Sequence, residues 1–454
     1  MNIIIVGNGK LGSTLAEQLI RENHELTIVD TKSEVLESAV NSKDVRIVQG
    51  NGASYEIQME AGVPRADLLL ALTASDELNM LSCIMAKKLG VKYTIARVRN
   101  PEYSRQSQIL RDELGLSIAI NPDRSTAEEI VRNLRYSSAI NLELFARGRT
   151  ELIQLKLDEA SPFAGKTLLE IGASMKPRFL ICAVQRGEDV FIPNGNFVLE
   201  AGDYIHVTAT PRDMQALLQH LGMPRYKFKN AMIIGGSRIT IYLAQTLIDM
   251  GIRVTIIEKD EQRCRTLCEY VPKAMVIHGD GTDMDLLQEE GISNMDLFLA
   301  LTGMDEQNII MSMYAQSLGN MKVMTKIDHI NFPQLYQLTE DSIVISPVRT
   351  TATQIIRFVR ATANSLGSAG IETLHKLVGG RIEAMEFIVR QNADYLGVSL
   401  RDLRPKMKPD VLVASIVRGG VSIIPNGDTV FQLHDHVVVI SKQANMNDLR
   451  DIFR

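Results

Sequence analysis

Two kinds of hydrophobic pattern alternate along this chain. In the first 120 residues, runs that are apolar at nearly every position lie at Ile3–Val6, Leu26–Asp30, Val45–Gln49, Leu68–Leu72, Thr94–Val98 and Ser117–Ile120, with helical spacing between them. Strands apolar on both sides suit a parallel sheet covered by helices on both faces. The handed crossover then makes the sheet doubly wound. A second series follows at Met232–Ile234, Val254–Glu258, Met275–His278, Leu297–Leu301, Val323–Ile327 and Ile343–Ile345. After the first series the pattern changes. An alternating strand begins at Leu152–Leu157, a short helix at Thr167–Ile171, and strands around Leu180–Gln185, Val190–Pro193 and Tyr204–Thr208, giving a small α+β module. Ser125–Phe145 and Thr350–Asn364 read as long crossover helices, and Ser365–Gly370 as a flexible joint.

The recurrence extends to individual residues. Asn2-Ile3-Ile4-Ile5-Val6-Gly7 returns as Asn230-Ala231-Met232-Ile233-Ile234-Gly235, and Gly50-Asn51-Gly52 as Gly279-Asp280-Gly281. Ala71-Leu72-Thr73-x-x-Asp76-Glu77-x-Asn79 returns as Ala300-Leu301-Thr302-x-x-Asp305-Glu306-x-Asn308. Pro193-Asn194-Gly195 returns as Pro425-Asn426-Gly427, each preceded by an arginine, Arg186 or Arg418. Matches in one order at nearly one offset mean a duplicated unit. The expected fold is therefore α/β: two tandem units, each a doubly wound, Rossmann-like parallel-sheet domain followed by a small α+β subdomain. The expected bounds are 1–138, 139–225, 228–360 and 365–454.

Composition narrows the class of function. With 49 basic and 54 acidic residues the net charge is -5, which gives no electrostatic footprint for nucleic acid. No apolar stretch approaches the roughly 18 residues a membrane span needs. The start, Met1-Asn2-Ile3-Ile4-Ile5-Val6-Gly7, lacks a basic n-region and reads as a strand and turn, not a signal peptide. Cys83, Cys182, Cys264 and Cys268 form no CxxC pair and read as buried or half-buried thiols in a reducing compartment.

The candidate chemistry sits at the strand ends. Gly7-Asn8-Gly9-Lys10-Leu11-Gly12 is GxGxxG between a strand and a helix. Gly7 permits the turn, Gly9 lets backbone amides approach a pyrophosphate at the helix N-terminus, and Gly12 lets the helix pack on the sheet. Asp30, at the end of the second strand, is placed to accept hydrogen bonds from ribose hydroxyls and to oppose a 2′-phosphate, favouring NAD(H) over NADP(H). Asn51 and Gly52 follow the third strand, where an adenine would lie; Thr73 and Ala74 follow the fourth. Asp76 and Asn79 either face the nucleotide or cap the next helix. Arg97 reaches phosphate or forms a surface ion pair. In the second copy the glycine motif is degenerate: Gly235-Gly236-Ser237-Arg238-Ile239-Thr240. Thr240 is expected to crowd the helix against the sheet. Yet Glu258 keeps the ribose acid and Lys326 matches Arg97. That copy is either a weaker nucleotide site, for ATP, ADP or NAD(H), or a structural repeat.

The order GxGxxG, Asp30, Gly-Asn-Gly, Ala-Leu-Thr-x-x-Asp-Glu-x-Asn and Ala96-Arg97-Val98 resembles the RCK (KTN) domain, and the module with Pro-Asn-Gly resembles its C-terminal subdomain. Two such pairs in one chain resemble the peripheral subunits of bacterial Trk potassium uptake systems. The resemblance implies NAD(H) in the first site. It implies a homo-oligomeric ring on the cytoplasmic face of the inner membrane, and a membrane-embedded TrkH-type potassium transporter subunit as partner, the chain acting as a regulatory subunit rather than an enzyme. Ser237 and Thr240 depart from the family pattern. His434 stands where the first copy has Gly202, before the matching acids Asp203 and Asp435; with His436 it reads as a loop and strand end, or a metal site. The alternative function is an NAD-dependent oxidoreductase, which needs an acid or base at the nicotinamide. No His/Asp pair or Tyr/Lys motif is set there.

Overall fold

The computed structural model describes residues 1–32, 45–105, 116–135, 141–146, 149–175, 177–223, 228–319, 321–328, 342–366, 371–378, 381–389, 394–442, 446 and 448–454. Four sheets follow one another along the chain. The first holds β1 (Asn2–Val6), β2 (Glu25–Asp30), β3 (Val45–Gln49), β4 (Leu68–Ala71), β5 (Tyr93–Arg97) and β6 (Ile118–Ile120). The second holds β7 (Asn141–Phe145), β8 (Thr150–Lys156), β9 (Phe179–Arg186), β10 (Asp189–Phe191) and β11 (Tyr204–Ala209). The third holds β12 (Asn230–Ile234), β13 (Arg253–Glu258), β14 (Met275–His278), β15 (Leu297–Ala300), β16 (Lys322–Lys326) and β17 (Ser342–Ile345). The fourth holds β18 (Ile371–Leu377), β19 (Ile382–Ile388), β20 (Val411–Arg418), β21 (Val421–Ile423) and β22 (His436–Ser441). The chain forms two compact units: Met1–Leu134 with Lys227–Ile356, and Arg135–Tyr226 with Arg357–Arg454. Each unit thus pairs equivalent parts of the two copies.

In the first unit the strand orders are β3-β2-β1-β4-β5-β6 and β14-β13-β12-β15-β16-β17. Every ladder in both sheets is parallel. This is the doubly wound order with its switch point between β1 and β4. The apolar runs explain it: Ile3, Ile4 and Ile5 are all fully buried, as are Leu68, Leu69 and Leu70. Each such side chain contributes about 2 kcal/mol when removed from water.

The helix Pro122–Arg135 leaves the first sheet and serves the second fold. Ala127, Ile130, Val131 and Leu134 recur at helical spacing and join a core with Ala231, Ile233, Leu243 and Leu247. The two crossover helices meet where Ser125 Oγ donates to Gln354 Oε1 at 3.1 Å and Thr350 donates to Glu129. The sequence reading carried this first helix through Phe145. The structure ends its described part at Arg135 and makes Asn141–Phe145 a strand. Leu142 and Leu144 alternate with Asn141 and Glu143, a period of two that β8 captures by pairing. Residues 136–140 and 367–370 of the expected helix and joint lie outside the described residues; Ser365 and Leu366 end the helix Pro347–Leu366.

The second unit joins the sheets β10-β9-β11-β8-β7 and β18-β19-β22-β20-β21. They share one apolar cluster, with Phe145, Leu152, Cys182 and Ala183 from one copy and Leu377, Ala384, Ala414 and Val438 from the other. Polar groups are buried with it. Glu386 accepts from the Ala146 amide at 2.9 Å and contacts His436 Nδ1 at 2.7 Å, and His375 Nδ1 meets Glu143 at 2.5 Å. His434 takes a left-handed backbone, φ 66°, where Gly202 has φ 87°. The turn before each buried aspartate demands that conformation. Among the described residues no group of acids, histidines and cysteines is arranged to hold a metal. Cys83, Cys182 and Cys264 are buried, and burial pushes each thiol up. Cys268 is exposed, against the sequence reading.

His206 on β11 is buried, and neither ring nitrogen has a hydrogen-bond partner among the described residues. Burial pushes its imidazole down to about 4, with the nearby Glu143 charge acting the other way. The unfolded chain takes up this proton at ordinary histidine values, so stability is full above that range and falls as pH drops towards 4. We expect a loss of about 2 kcal/mol between pH 7 and pH 5 from this group. His206→Leu should remove that share of the pH dependence in urea unfolding of the second unit. An unchanged slope would show that His206 is protonated in the fold.

Candidate functional site

A cavity of about 620 Å³ opens at the carboxyl ends of the first sheet's strands. Its floor is the turn after β1. Gly7 has φ 98°, and a side chain there would press on the Thr73 backbone at 3.0 Å. At Gly12 a Cβ would fall 2.1 Å from the Gly7 carbonyl oxygen, and at Gly52 2.1 Å from Val6. These glycines are required by packing. Gly9 is not: its φ of -71° suits any residue, and nothing lies within 4 Å of an added Cβ. It lines the cavity and caps the helix Lys10–Arg21 without any side-chain hydrogen bond. The helix therefore begins with amide donors that no cap side chain satisfies.

Gly7, Gly9, Lys10, Leu11, Asp30, Gly52, Thr73, Ala74 and Arg97 line the cavity, with Ser237 and Ile239 from the second copy. Asn8, Gly12, Asn51, Asp76, Asn79, Gly235, Gly236, Arg238 and Glu258 do not. Asp30 is half-buried and accepts from the Asn8 amide at 2.7 Å and the Lys32 amide at 3.0 Å. Asn51 Oδ1 accepts from the Ala53 amide at 3.0 Å within its own loop.

Asp76 and Asn79 hold the walls in place. Asn79 Oδ1 accepts from the Thr73 amide at 2.8 Å and its hydroxyl at 2.7 Å, and Nδ2 donates to the Arg97 carbonyl at 2.9 Å. Asp76 Oδ2 accepts from the Arg99 and Asn100 amides at 2.9 and 2.7 Å. The second copy repeats this brace: Asn308 bonds Thr302 and the Lys326 carbonyl, and Asp305 accepts from the Asp328 amide. The recurring Ala-Leu-Thr-x-x-Asp-Glu-x-Asn motif thus ties the ends of neighbouring strands together in both copies.

Four charged wall residues were not among the sequence candidates: Arg99, Asp123, Lys32 and Asp328. Arg99 stands two residues after Arg97, so a period-two reading past the strand end was the available signal. The Arg97 guanidinium donates to the Thr73 carbonyl; burial first, then the Arg99 charge, lowers its pKa to about 10. The Nε atoms of Arg97 and Arg99 lack partners among the described residues. Asp123 is pushed up by burial, opposed by Arg99, Arg238 and Arg97.

The second copy's glycine turn is filled by its own side chains. Glu258 is buried and accepts from the Gly236 amide at 2.5 Å and the Asp260 amide at 2.8 Å. A Cβ at Gly236 would fall 2.6 Å from Leu267. Ser237 caps the helix Arg238–Asp249 by accepting from the Thr240 amide. Thr240, expected to crowd the helix against the sheet, is fully buried, and its hydroxyl donates to the Gly235 carbonyl at 2.6 Å.

A dinucleotide-type sheet followed by a small antiparallel subdomain, twice over, is the build of tandem RCK units. The TrkA-N domain model matches residues 3–122 and 231–347, and the TrkA-C domain model residues 152–222 and 384–454. The chain belongs to the TrkA family of Trk potassium uptake proteins. It is 31% identical over 454 residues to the Trk system potassium uptake protein TrkA homolog of Archaeoglobus fulgidus, covering 100% of both chains. It is also 31% identical over 463 residues to the TrkA protein of Haemophilus influenzae, covering 100% of this chain and 99% of that one. The solved GsuK channel bound to NAD shares the fold at a TM-score of 0.61 and 19% identity, over 97% of this chain and 76% of that one.

Proposed function

We propose that the first cavity binds a nicotinamide adenine dinucleotide and that its occupancy sets potassium uptake through a membrane-embedded TrkH-type subunit. The observation that carries the reading is Gly9, a glycine the fold does not need, whose missing side chain leaves space at an uncapped helix start. Helix N-termini of this kind bind phosphate through amide donors and the macrodipole. Arg97 and Arg99 supply the guanidinium charge facing that space, and Asp30 the acceptor for ribose hydroxyls. When bound, the dinucleotide would supply a rigid anionic body touching several loops at once. No step of hydride chemistry is required.

The potassium-transport context comes from the relatives, which are Trk system potassium uptake proteins, and the regulatory role is our reading of the cavity. No described helix is long and apolar enough to cross a membrane, so a transport function calls for a partner that spans it. A peripheral ring of this chain on the cytoplasmic face fits that division of labour. Asp30→Ala should weaken NADH by about 1–3 kcal/mol in calorimetric titration, since charged acceptors of ribose hydrogen bonds are lost. NADH affinity equal to that of the parent chain would place the ribose elsewhere.

A further inference from the structure

The second copy contributes a wall to the first copy's cavity, and that wall differs from its counterpart by one charge reversal. Lys326 ends β16 as Arg97 ends β5, and each reaches back to the carbonyl of its threonine, Thr302 or Thr73. Two residues further on, the first copy has Arg99 and the second has Asp328. The consequence is an internal ion pair, Lys326 Nζ to Asp328 Oδ2 at 2.9 Å, with the lysine side chain 10% exposed. Both residues line the cavity, together with Ser237 and Thr351 from the same copy.

Among the described residues the charged lining is five cations, Lys10, Lys32, Arg97, Arg99 and Lys326, against three carboxylates, Asp30, Asp123 and Asp328. The excess of two positive charges matches a diphosphate diester, which carries two negative charges. A nucleoside triphosphate carries more, and its third phosphate would need a further free cation. Lys326 is the buried cation on the opposite wall, and Asp328 holds it. Resting on the dinucleotide reading above, we propose that Asp328 is a specificity-determining residue: by pairing with Lys326 it makes the shared cavity favour a dinucleotide diphosphate over a nucleoside triphosphate. Asp328 acts through Lys326, so its role is positioning and charge balance rather than contact with the ligand. The backbone bond from the Asp328 amide to Asp305 does not depend on its side chain, and Asp328→Asn keeps the shape of the residue.

The test is calorimetric titration of the full chain with NADH and with ATP at two salt concentrations. Asp328→Asn should raise the ATP-to-NADH affinity ratio tenfold or more, with the gain largest at low salt. Asp328→Glu, which keeps the charge, should preserve the parent ratio. Lys326→Gln should lower ATP binding more than NADH binding. An unchanged ratio in Asp328→Asn and Lys326→Gln, with NADH still bound by the parent chain and lost in Gly9→Val, would overturn this inference while leaving the dinucleotide reading intact. Absence of NADH binding to the parent chain would overturn both.

Discussion

Gly9→Val is expected to abolish NADH binding, weakening it at least 100-fold, or about 3 kcal/mol, while the chain stays folded. The direction of each effect comes from the same geometry. The backbone at Gly9, φ -71° and ψ -170°, is extended and open to a branched residue. Apart from the neighbouring residues of the turn, no described atom lies within 4 Å of the new Cβ, so the fold accepts a side chain at this position. That emptiness is the space the pyrophosphate is proposed to use. The substitution fills it and separates the ligand from the helix amides. A valine cap is poorer than glycine by about 1 kcal/mol, which a domain of this size tolerates. Titration calorimetry reads the binding, and circular dichroism with urea unfolding reads the fold. A Gly9→Val chain that binds NADH normally would show that the cavity is not the site.

The second large effect is on stability. Arg186 spans the small first-copy sheet with Nε to Asp203 Oδ1 and Nη2 to Oδ2, both at 2.8 Å. Asp203 is fully buried and also accepts from the Glu200 amide at 2.9 Å. The Asp203 hydrogen bond raises the Arg186 pKa, as expected of a charge held by a buried partner. Arg418 and Asp435 repeat the arrangement at 2.9 and 2.8 Å, with Asp435 fully buried. Removing one partner leaves a buried carboxylate with only part of its compensation, at a cost of about 3 kcal/mol. Arg186→Met should lower the urea midpoint of the second unit accordingly. Arg186→Met with Asp203→Leu should recover much of the loss, because no buried charge then remains. Equal stability of the single variant and the parent would mean that Asp203 is hydrated.

How far these features could be read in advance depended on how local they are. Strands such as Ile3–Val6 and Leu297–Leu301 were legible because a doubly buried strand leaves an unbroken apolar run. Asn141–Phe145 was not, because its two leucines also continue the helical pattern of the preceding segment; pairing with β8 decides it. β18 gave no clear alternation at Ile371–Leu377, and its partner β19 fixes it. At the site, the glycine loop and Asp30 announce themselves by spacing. The cavity's other wall does not. Lys326, Asp328 and Thr351 line the same cavity as Gly9 only because the two copies pack in one unit, a relation that neither copy's sequence contains. The Arg186 and Asp203 repeats were visible as matching residues, but their pairing required the sheet.

The direct test is potassium flux through the membrane-embedded partner reconstituted in liposomes with this chain, measured with and without NADH. NADH should change the flux when the parent chain is present. The response should be absent without the chain and absent with Gly9→Val, which still co-purifies with the partner. A Gly9→Val complex that assembles and responds to NADH as the parent does would contradict the assignment of the first cavity as the sensor.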